Sequence, residues 1–303
     1  MRSVLITGAN GQLGMALRTL VATGSVNPES TNEQKGVSPY IAYGFKFHFT
    51  DIDTLDICDK SQVEAFMKMH NIEIIINCAA YTAVDKAEDD AEKCMQINCD
   101  AVRNIGEAAS LTGAGVIHIS TDYVFDGKGM RPYREDDTTS PVSVYGSTKL
   151  AGEKALLSVC HDAVIIRTAW LYSETGSNFV KTMLHLGKER DTLGVVADQK
   201  GTPTYSGDLA KAIITILEAE YFTPGIYNYS NDGVCTWYDF AVKIFELEGI
   251  KCSVNRITTA EYPTPASRPQ YSVLDKSKII AIYNVEVPLW EDSLKKCLVK
   301  LKA

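Results

Sequence analysis

Three glycines spaced G-x-x-G-x-x-G, Gly8, Gly11 and Gly14, separate a short apolar run, Ser3-Val-Leu-Ile-Thr7, from a stretch with Leu13, Leu17, Leu20 and Val21 at helical spacing. A buried strand that turns through glycines into a helix opens a βαβ unit, and few folds accept one. Gly8 allows the tight turn, Gly11 lets backbone N–H groups approach a pyrophosphate at the helix N-terminus, and Gly14 permits close packing of helix on strand. The competing reading is a plain glycine turn between any strand and helix. The position of the motif between the right elements favours nucleotide binding.

The alternation continues downstream. Phe45-Lys-Phe-His-Phe-Thr50 places three phenylalanines on one face and ends at Asp51, and Ile72 to Ile76 runs into Asn77-Cys-Ala-Ala-Tyr-Thr82. A long helix is expected from about Asp90 to Leu111, with strands over Val116 to Phe125 and Ala163 to Thr168. Helices over about Asn178 to Arg190 and Tyr205 to Ala219 follow, and Ile226-Tyr-Asn-Tyr229 returns to the sheet. The pattern predicts an α/β chain built on a Rossmann-type doubly wound parallel sheet with right-handed crossovers. Gly24 to Tyr43, with Asn27-Pro28, Gly36 and Pro39, has no periodicity and reads as an inserted loop.

Such sheets bind ligands beyond the carboxyl ends of their strands, so strand-end residues become the candidates. Asp51, displaced by the insertion, is the acid that would meet the adenosine ribose. Its charge disfavours a 2′-phosphate, Lys46 or Lys60 would compensate, and NADPH and NADH both stand as cofactors. Small Ala79 and Ala80 let adenine or ribose pass close to the backbone. Ser120 and Thr121 turn hydroxyls toward a substrate carbonyl, or else satisfy backbone groups. In Tyr145-Gly-Ser-Thr-Lys149 a spacing of four puts both side chains on one helix face, a pattern also common on solvated faces. With Lys149 beside the phenol, the Tyr145 pKa is expected to fall toward the range useful for exchanging a proton with a carbonyl oxygen.

With 303 residues, 45% hydrophobic and 22% charged, the chain can bury a large core and make one big or two modest domains. A net charge of −8 argues against a nucleic-acid partner or an anionic membrane surface, so an anionic ligand needs a local basic site. No apolar run is long enough to span a bilayer, and Met1-Arg-Ser leads directly into the first strand; a cytoplasmic location is expected. Eight cysteines without a C-x-x-C pair predict free thiols, and no metal ligands are assigned.

Gly8 to Gly14, Ser120 to Gly127 and Tyr145 to Lys154 resemble the extended short-chain dehydrogenase/reductases. Ala80 to Glu88, Asn178 to Leu184, Asp198 to Thr204 and Tyr262 to Pro269 resemble, more narrowly, the dTDP-4-dehydrorhamnose reductase family, over about residues 3 to 298. The resemblance implies cofactor contacts from Gly8, Gly11, Gln12, Leu13, Gly14, Asp51, Asp56, Ile57, Ala80, Tyr81 and Thr82. It makes Tyr145 the proton donor, with Lys149 tuning it and holding the nicotinamide ribose. Thr121 would orient the 4-keto oxygen with Asp122 beside it, and Trp170 would contact the sugar nucleotide, although an indole there is as readily ordinary core. Arg268 is the candidate for the diphosphate, since a guanidinium matches phosphate oxygens in two-point geometry; the alternative is a surface loop residue.

The implied activity is NADPH- or NADH-dependent reduction of the C4 keto group of dTDP-4-dehydro-β-L-rhamnose, a nucleotide-sugar substrate, by a chain that pairs as a homodimer. The alternative is a non-catalytic NADP-binding regulatory subunit resembling that of methionine adenosyltransferase. A dehydratase is weaker, because it would need an acid pair beside the hydroxyl where only Asp122 stands. Residues 1–172, with a return over about 196–229, are expected to form the dinucleotide domain. Residues 173–195 and 230–303 would form a smaller, discontinuous substrate domain.

Overall fold

The computed structural model describes residues 1–24 and 40–302. The chain runs β1 (Arg2–Thr7), α1 (Gln12–Thr23), β2 (Tyr40–Ala42), β3 (Phe45–Phe49), α2 (Lys60–His70), β4 (Ile72–Asn77), α3 (Val84–Ala87) and α4 (Ala91–Met95). A π-helical turn, Gln96–Asp100, leads into α5 (Ala101–Thr112), β5 (Gly115–Thr121), α6 (Val144–Val159) and β6 (Ala163–Thr168). Then come β7 (Leu171–Tyr172), α7 (Phe179–Glu189), β8 (Thr192–Val196), β9 (Lys200–Gly201), β10 (Thr204–Tyr205), α8 (Ser206–Glu218), β11 (Gly225–Asn228) and β12 (Cys235–Thr236). The chain closes with α9 (Trp237–Glu248), β13 (Ser253–Ile257), α10 (Ser277–Tyr283) and α11 (Trp290–Lys302).

Seven strands form the central sheet in the order β11-β6-β5-β4-β1-β3-β2, parallel throughout except for β2 on β3. Each inner strand is buried on both faces, as a parallel sheet covered by helices requires. Val4 and Ile6 of β1 join Ile74 and Ile76 of β4 in one core with α1 and α8, while Leu5, Ile72 and Ile75 enter the other core with α2 and α5. A third cluster packs Val180 and Met183 of α7, Phe240 and Ile244 of α9, and Leu294 and Cys297 of α11 around Tyr172 and Tyr205. The doubly wound parallel sheet is the one expected.

Three local expectations change. The expected long helix over 90–111 is interrupted by the π turn, and the strand expected over 116–125 ends at Thr121, where Asp122–Val124 winds into a 3-10 turn. The inserted loop ends sooner than Tyr43: Tyr40–Ala42 pairs antiparallel with β3, Ala42 is buried, and Tyr43 packs against the first core. Residues 25–39 of that expected loop lie outside the described residues. All eight cysteines are free. Cys94, Cys99 and Cys160 are buried in the sheet half and Cys235, Cys252 and Cys297 in the third cluster, with Cys58 and Cys78 only partly covered.

Candidate active site

The chain leaves β1 toward β3 on one side and reaches β4 on the other, so a crevice opens at their carboxyl ends. Gly8 sits there with φ +63°, and a Cβ on it would lie 2.6 Å from the Ala79 backbone nitrogen. A Cβ on Gly14 would meet Ala9 Cα at 2.6 Å, which is why α1 can press onto the turn. Asp51 anchors the turn. Its carboxylate accepts from the backbone N–H of Asn10 at 2.8 Å and from that of Ile52 at 2.8 Å.

A cavity of about 740 Å³ extends from this turn across the strand ends. Gly8, Gly11, Gln12, Leu13, Gly14, Asp51, Asp56, Ile57, Ala80, Thr82, Thr121, Asp122, Tyr145, Lys149, Trp170 and Arg268 all line it. Tyr81 is the exception among the expected cofactor contacts. The Asn98 side chain grips its backbone, accepting from its N–H at 2.9 Å and donating to its carbonyl at 3.1 Å, and its phenol turns to Asp90 at 3.3 Å. Neither Lys46 nor Lys60 lines the cavity, and Lys60 is paired with Glu107 at 2.7 Å; the cation in the wall beside Asp56 and Cys58 is Lys93.

Helix α6 carries the catalytic candidates in its first two turns. Ser143 caps it by accepting from Gly146 N–H at 3.1 Å, and Glu88 accepts from Val144 N–H at 2.9 Å. The Tyr145 ring is half-buried and meets Tyr123 edge-on at 5.5 Å. Burial pushes its phenol well above the usual tyrosine range, a hydrogen bond with Thr121 opposes the shift, and the charges of Asp122, Tyr123 and Cys94 add to it. The expected lowering by Lys149 is therefore not what the structure shows. The Lys149 ammonium is committed elsewhere, donating to the Ile119 carbonyl at 2.6 Å and lying 3.4 Å from His118 Nε2. Burial also pushes the Lys149 pKa down to about 8, against the pull of Glu153.

Thr121 Oγ1 donates to Asp122 Oδ1 at 3.0 Å, while Asp122 Oδ2 is buried with no hydrogen-bond partner among the described residues, and burial raises that carboxyl to about 6. Ser120 also lines the cavity, but its hydroxyl is taken by Glu153, which holds Arg167 through two bonds of 2.7 and 2.9 Å. This buried ion pair ties β5, β6 and α6 together beneath the cavity. Thr7, Asn77 and His118 link β1, β4 and β5 in the same way, at 2.7 and 3.0 Å.

At the far end Trp170, with φ +48°, stacks on Trp237 with ring centroids 3.6 Å apart, and both line the cavity. Trp237 was not among the residues expected at the site; an aromatic at the first position of a helix that starts at a strand end was the available signal. Arg268 Nη2 pairs with Asp85 Oδ2 at 2.7 Å and Nη1 donates to the Tyr123 hydroxyl at 3.2 Å, with 27% of the side chain exposed. It is a cavity-wall residue already engaged by a carboxylate, not a loose surface arginine. Asn98 and His118 were also missed, since neither falls in a motif, and Glu153 was given no role although it lies within the Tyr145-to-Lys154 stretch.

The family model described as RmlD substrate binding domain matches residues 1–303. The chain belongs to the dTDP-4-dehydrorhamnose reductase family. A member of that name from Aggregatibacter actinomycetemcomitans is 41% identical over 306 residues, covering 97% of this chain and 98% of its own. One from Escherichia coli K12 is 39% identical over 309 residues, covering 99% and 98%. Among solved structures, the dTDP-4-dehydrorhamnose reductase of Bacillus anthracis in complex with NADP is 38% identical, with a TM-score of 0.88 over 99% of this chain and 100% of that one. Membership of the dTDP-4-dehydrorhamnose reductase family leaves the regulatory-subunit reading unfavoured.

Proposed function

We propose that the chain reduces the C4 keto group of dTDP-4-dehydro-β-L-rhamnose to dTDP-L-rhamnose. Bound NADPH or NADH supplies the hydride. The residues present fit such a dinucleotide: Gln12 and Leu13 offer backbone N–H groups in the first turn of α1, while Gly11 N–H closes the turn on the Gly8 carbonyl at 3.1 Å, and a Cβ on Gly11 would crowd that carbonyl at 3.3 Å. The observation that carries the reading is that Thr121, Tyr145 and Lys149 line the same cavity as this turn. Tyr145, held protonated by burial, donates to the carbonyl oxygen as it gains charge, and Thr121 orients that oxygen. Lys149, anchored on Ile119, holds the nicotinamide ribose and renews the proton. Asp51, Asp56 and Ile57 border the adenosine half, Trp170 takes the sugar nucleotide, and Arg268 takes its diphosphate by sharing the guanidinium with Asp85.

The same reading assigns residues 1–172 and about 196–229 to the dinucleotide domain and 173–195 and 230–303 to the substrate domain; the third cluster supports the latter, with Tyr172 and Tyr205 reaching into it from the dinucleotide side and Ile279 and Tyr283 of α10 packing in the first core instead. It includes a cytoplasmic homodimer, which cell fractionation and sedimentation equilibrium would check. Among the described residues no helix is long and apolar enough to cross a membrane. The deciding assay follows loss of NADPH absorbance when purified protein meets enzymatically made dTDP-4-dehydrorhamnose. Equal loss with a GDP- or UDP-sugar, or none with the dTDP-sugar, would overturn the reading.

A further inference from the structure

The expected cofactor contact Gln12 is held from the far side of the chain. Its Oε1 accepts from Asn178 Nδ2 at 3.0 Å and lies 3.0 Å from Ser173 Oγ, residues 166 and 161 positions away in sequence; the Ser173 hydroxyl shares its one proton between Gln12 and the Thr175 carbonyl at 2.7 Å. Asn178 has a second task. It is the N-cap of α7, its Oδ1 accepting from Lys181 N–H at 3.2 Å, while Nδ2 also donates to the Ser173 carbonyl at 2.8 Å. The intervening loop presses on the same side chain: at Gly176, with φ +67°, a Cβ would stand 3.2 Å from Gln12 Cγ, and Gly176 and Ser177 line the cavity.

The chemistry of the contact sets the orientation of the Gln12 amide. A primary amide has one carbonyl oxygen and one NH₂, and the two groups facing it here are an amide N–H and a hydroxyl. The oxygen must face them, because the flipped amide would set its NH₂ against the Asn178 NH₂. The NH₂ of Gln12 then faces away from Asn178, on a side chain carried by the first residue of α1, where backbone N–H groups collect negative charge. An amide turned that way donates to a phosphate oxygen; turned the other way it repels one.

We infer that Asn178 and Ser173 are positioning residues for the dinucleotide, fixing the Gln12 amide so that its NH₂ faces the pyrophosphate and tying α7 to the glycine turn. The inference rests on the reading of that turn as the NAD(P)H site. It gives the Asn178-to-Leu184 segment, which the proposed chemistry does not use, a task at the cofactor.

Asn178→Asp separates the two tasks of this side chain. An aspartate keeps the acceptor that caps α7 but loses both N–H donors and sets a carboxylate against Gln12 Oε1. The expected result is a melting temperature close to that of the parent protein and a Kd for NADPH, read by nucleotide fluorescence, raised roughly three- to thirtyfold. In a Gln12→Ala background the same substitution should change Kd little, since the residue acts through Gln12. Ser173→Ala, which leaves the cap untouched, should weaken binding in the same direction and serves if the aspartate variant does not fold. Parent-like Kd values in both variants, or equal weakening with and without Gln12, would overturn the inference. Failure of the parent protein to bind NADPH would instead overturn the cofactor reading beneath it.

Discussion

A side chain that gives a proton to a ketone must hold that proton until the oxygen becomes basic, and burial gives Tyr145 this property without help from a cation. Tyr145→Phe should leave the Kd for NADPH unchanged and lower kcat by roughly two to four powers of ten, the usual scale for a positioned acid; unchanged turnover would remove Tyr145 from the chemistry. In the proposed reaction Lys149 would contribute through its charge state. With its pKa pushed down to about 8, the ammonium dominates at lower pH and the amine above it. Reduction consumes a proton, so kcat/KM should be flat below about pH 8 and fall above it. Lys149→Arg should move that alkaline limb out of the measurable range, because a guanidinium stays charged. The sequence could place Tyr145 and Lys149 on one helix face from their spacing. It could not say which acceptor the ammonium would choose, since the Ile119 carbonyl and His118 come from a strand whose end is fixed only by tertiary packing. Lys93 escaped notice for the same reason, while Lys46 and Lys60 were nearer in sequence to Asp51 and farther from the cavity.

At the scale of elements, strands and helices were readable because apolar periodicity reports burial directly, and the parallel sheet followed from their alternation. Their irregularities were not. Nothing in Gln96-Ile-Asn-Cys-Asp100 announces a π turn, yet that turn aims Asn98 at the Tyr81 backbone and at Thr148 of α6, with Asn98 Nδ2 donating to Thr148 Oγ1 at 3.2 Å. It also brings the Asn98 carbonyl against Gly152, where a Cβ would overlap the oxygen. Gly152→Ala must therefore push α6 away from the π turn, and α6 carries both Tyr145 and Lys149. The expected cost is about 1–3 kcal/mol of unfolding free energy by urea titration, the range for overpacking a close contact, with loss of activity beyond what stability explains. A variant as stable and active as the parent would show that the two helices can separate freely.

For the whole molecule, the acid limit of stability is expected to lie in buried imidazoles: burial holds His118, fully covered, well below its usual range, and His48 adds a second. His48, on β3, is 1% exposed, its ring tilted against that of His70 with centroids 4.6 Å apart, and neither nitrogen has a hydrogen-bond partner among the described residues. Burial first, then His70 and Lys46, pushes its pKa down to about 4 from an unfolded value near 6.5. The unfolded chain thus binds a proton that the native one refuses. From His48 alone, stability should be complete above about pH 6.5 and decline by roughly 1.4 kcal/mol per pH unit as pH falls toward 4, with His118 adding to the same limb. His48→Leu should flatten that slope by about one proton in urea midpoints measured across the window; an unaltered slope would assign the acid sensitivity elsewhere. The division into two domains can be tested through the cysteines. Three shielded thiols lie in the sheet half and three in the third cluster, and a sulfur that is covered reacts with an alkylating reagent only when its surroundings open. The chain therefore contains two internal clocks. If mass spectrometry found Cys235, Cys252 and Cys297 alkylated at one rate and Cys94, Cys99 and Cys160 at another, the halves would breathe independently; a single rate would mean that they open as one body.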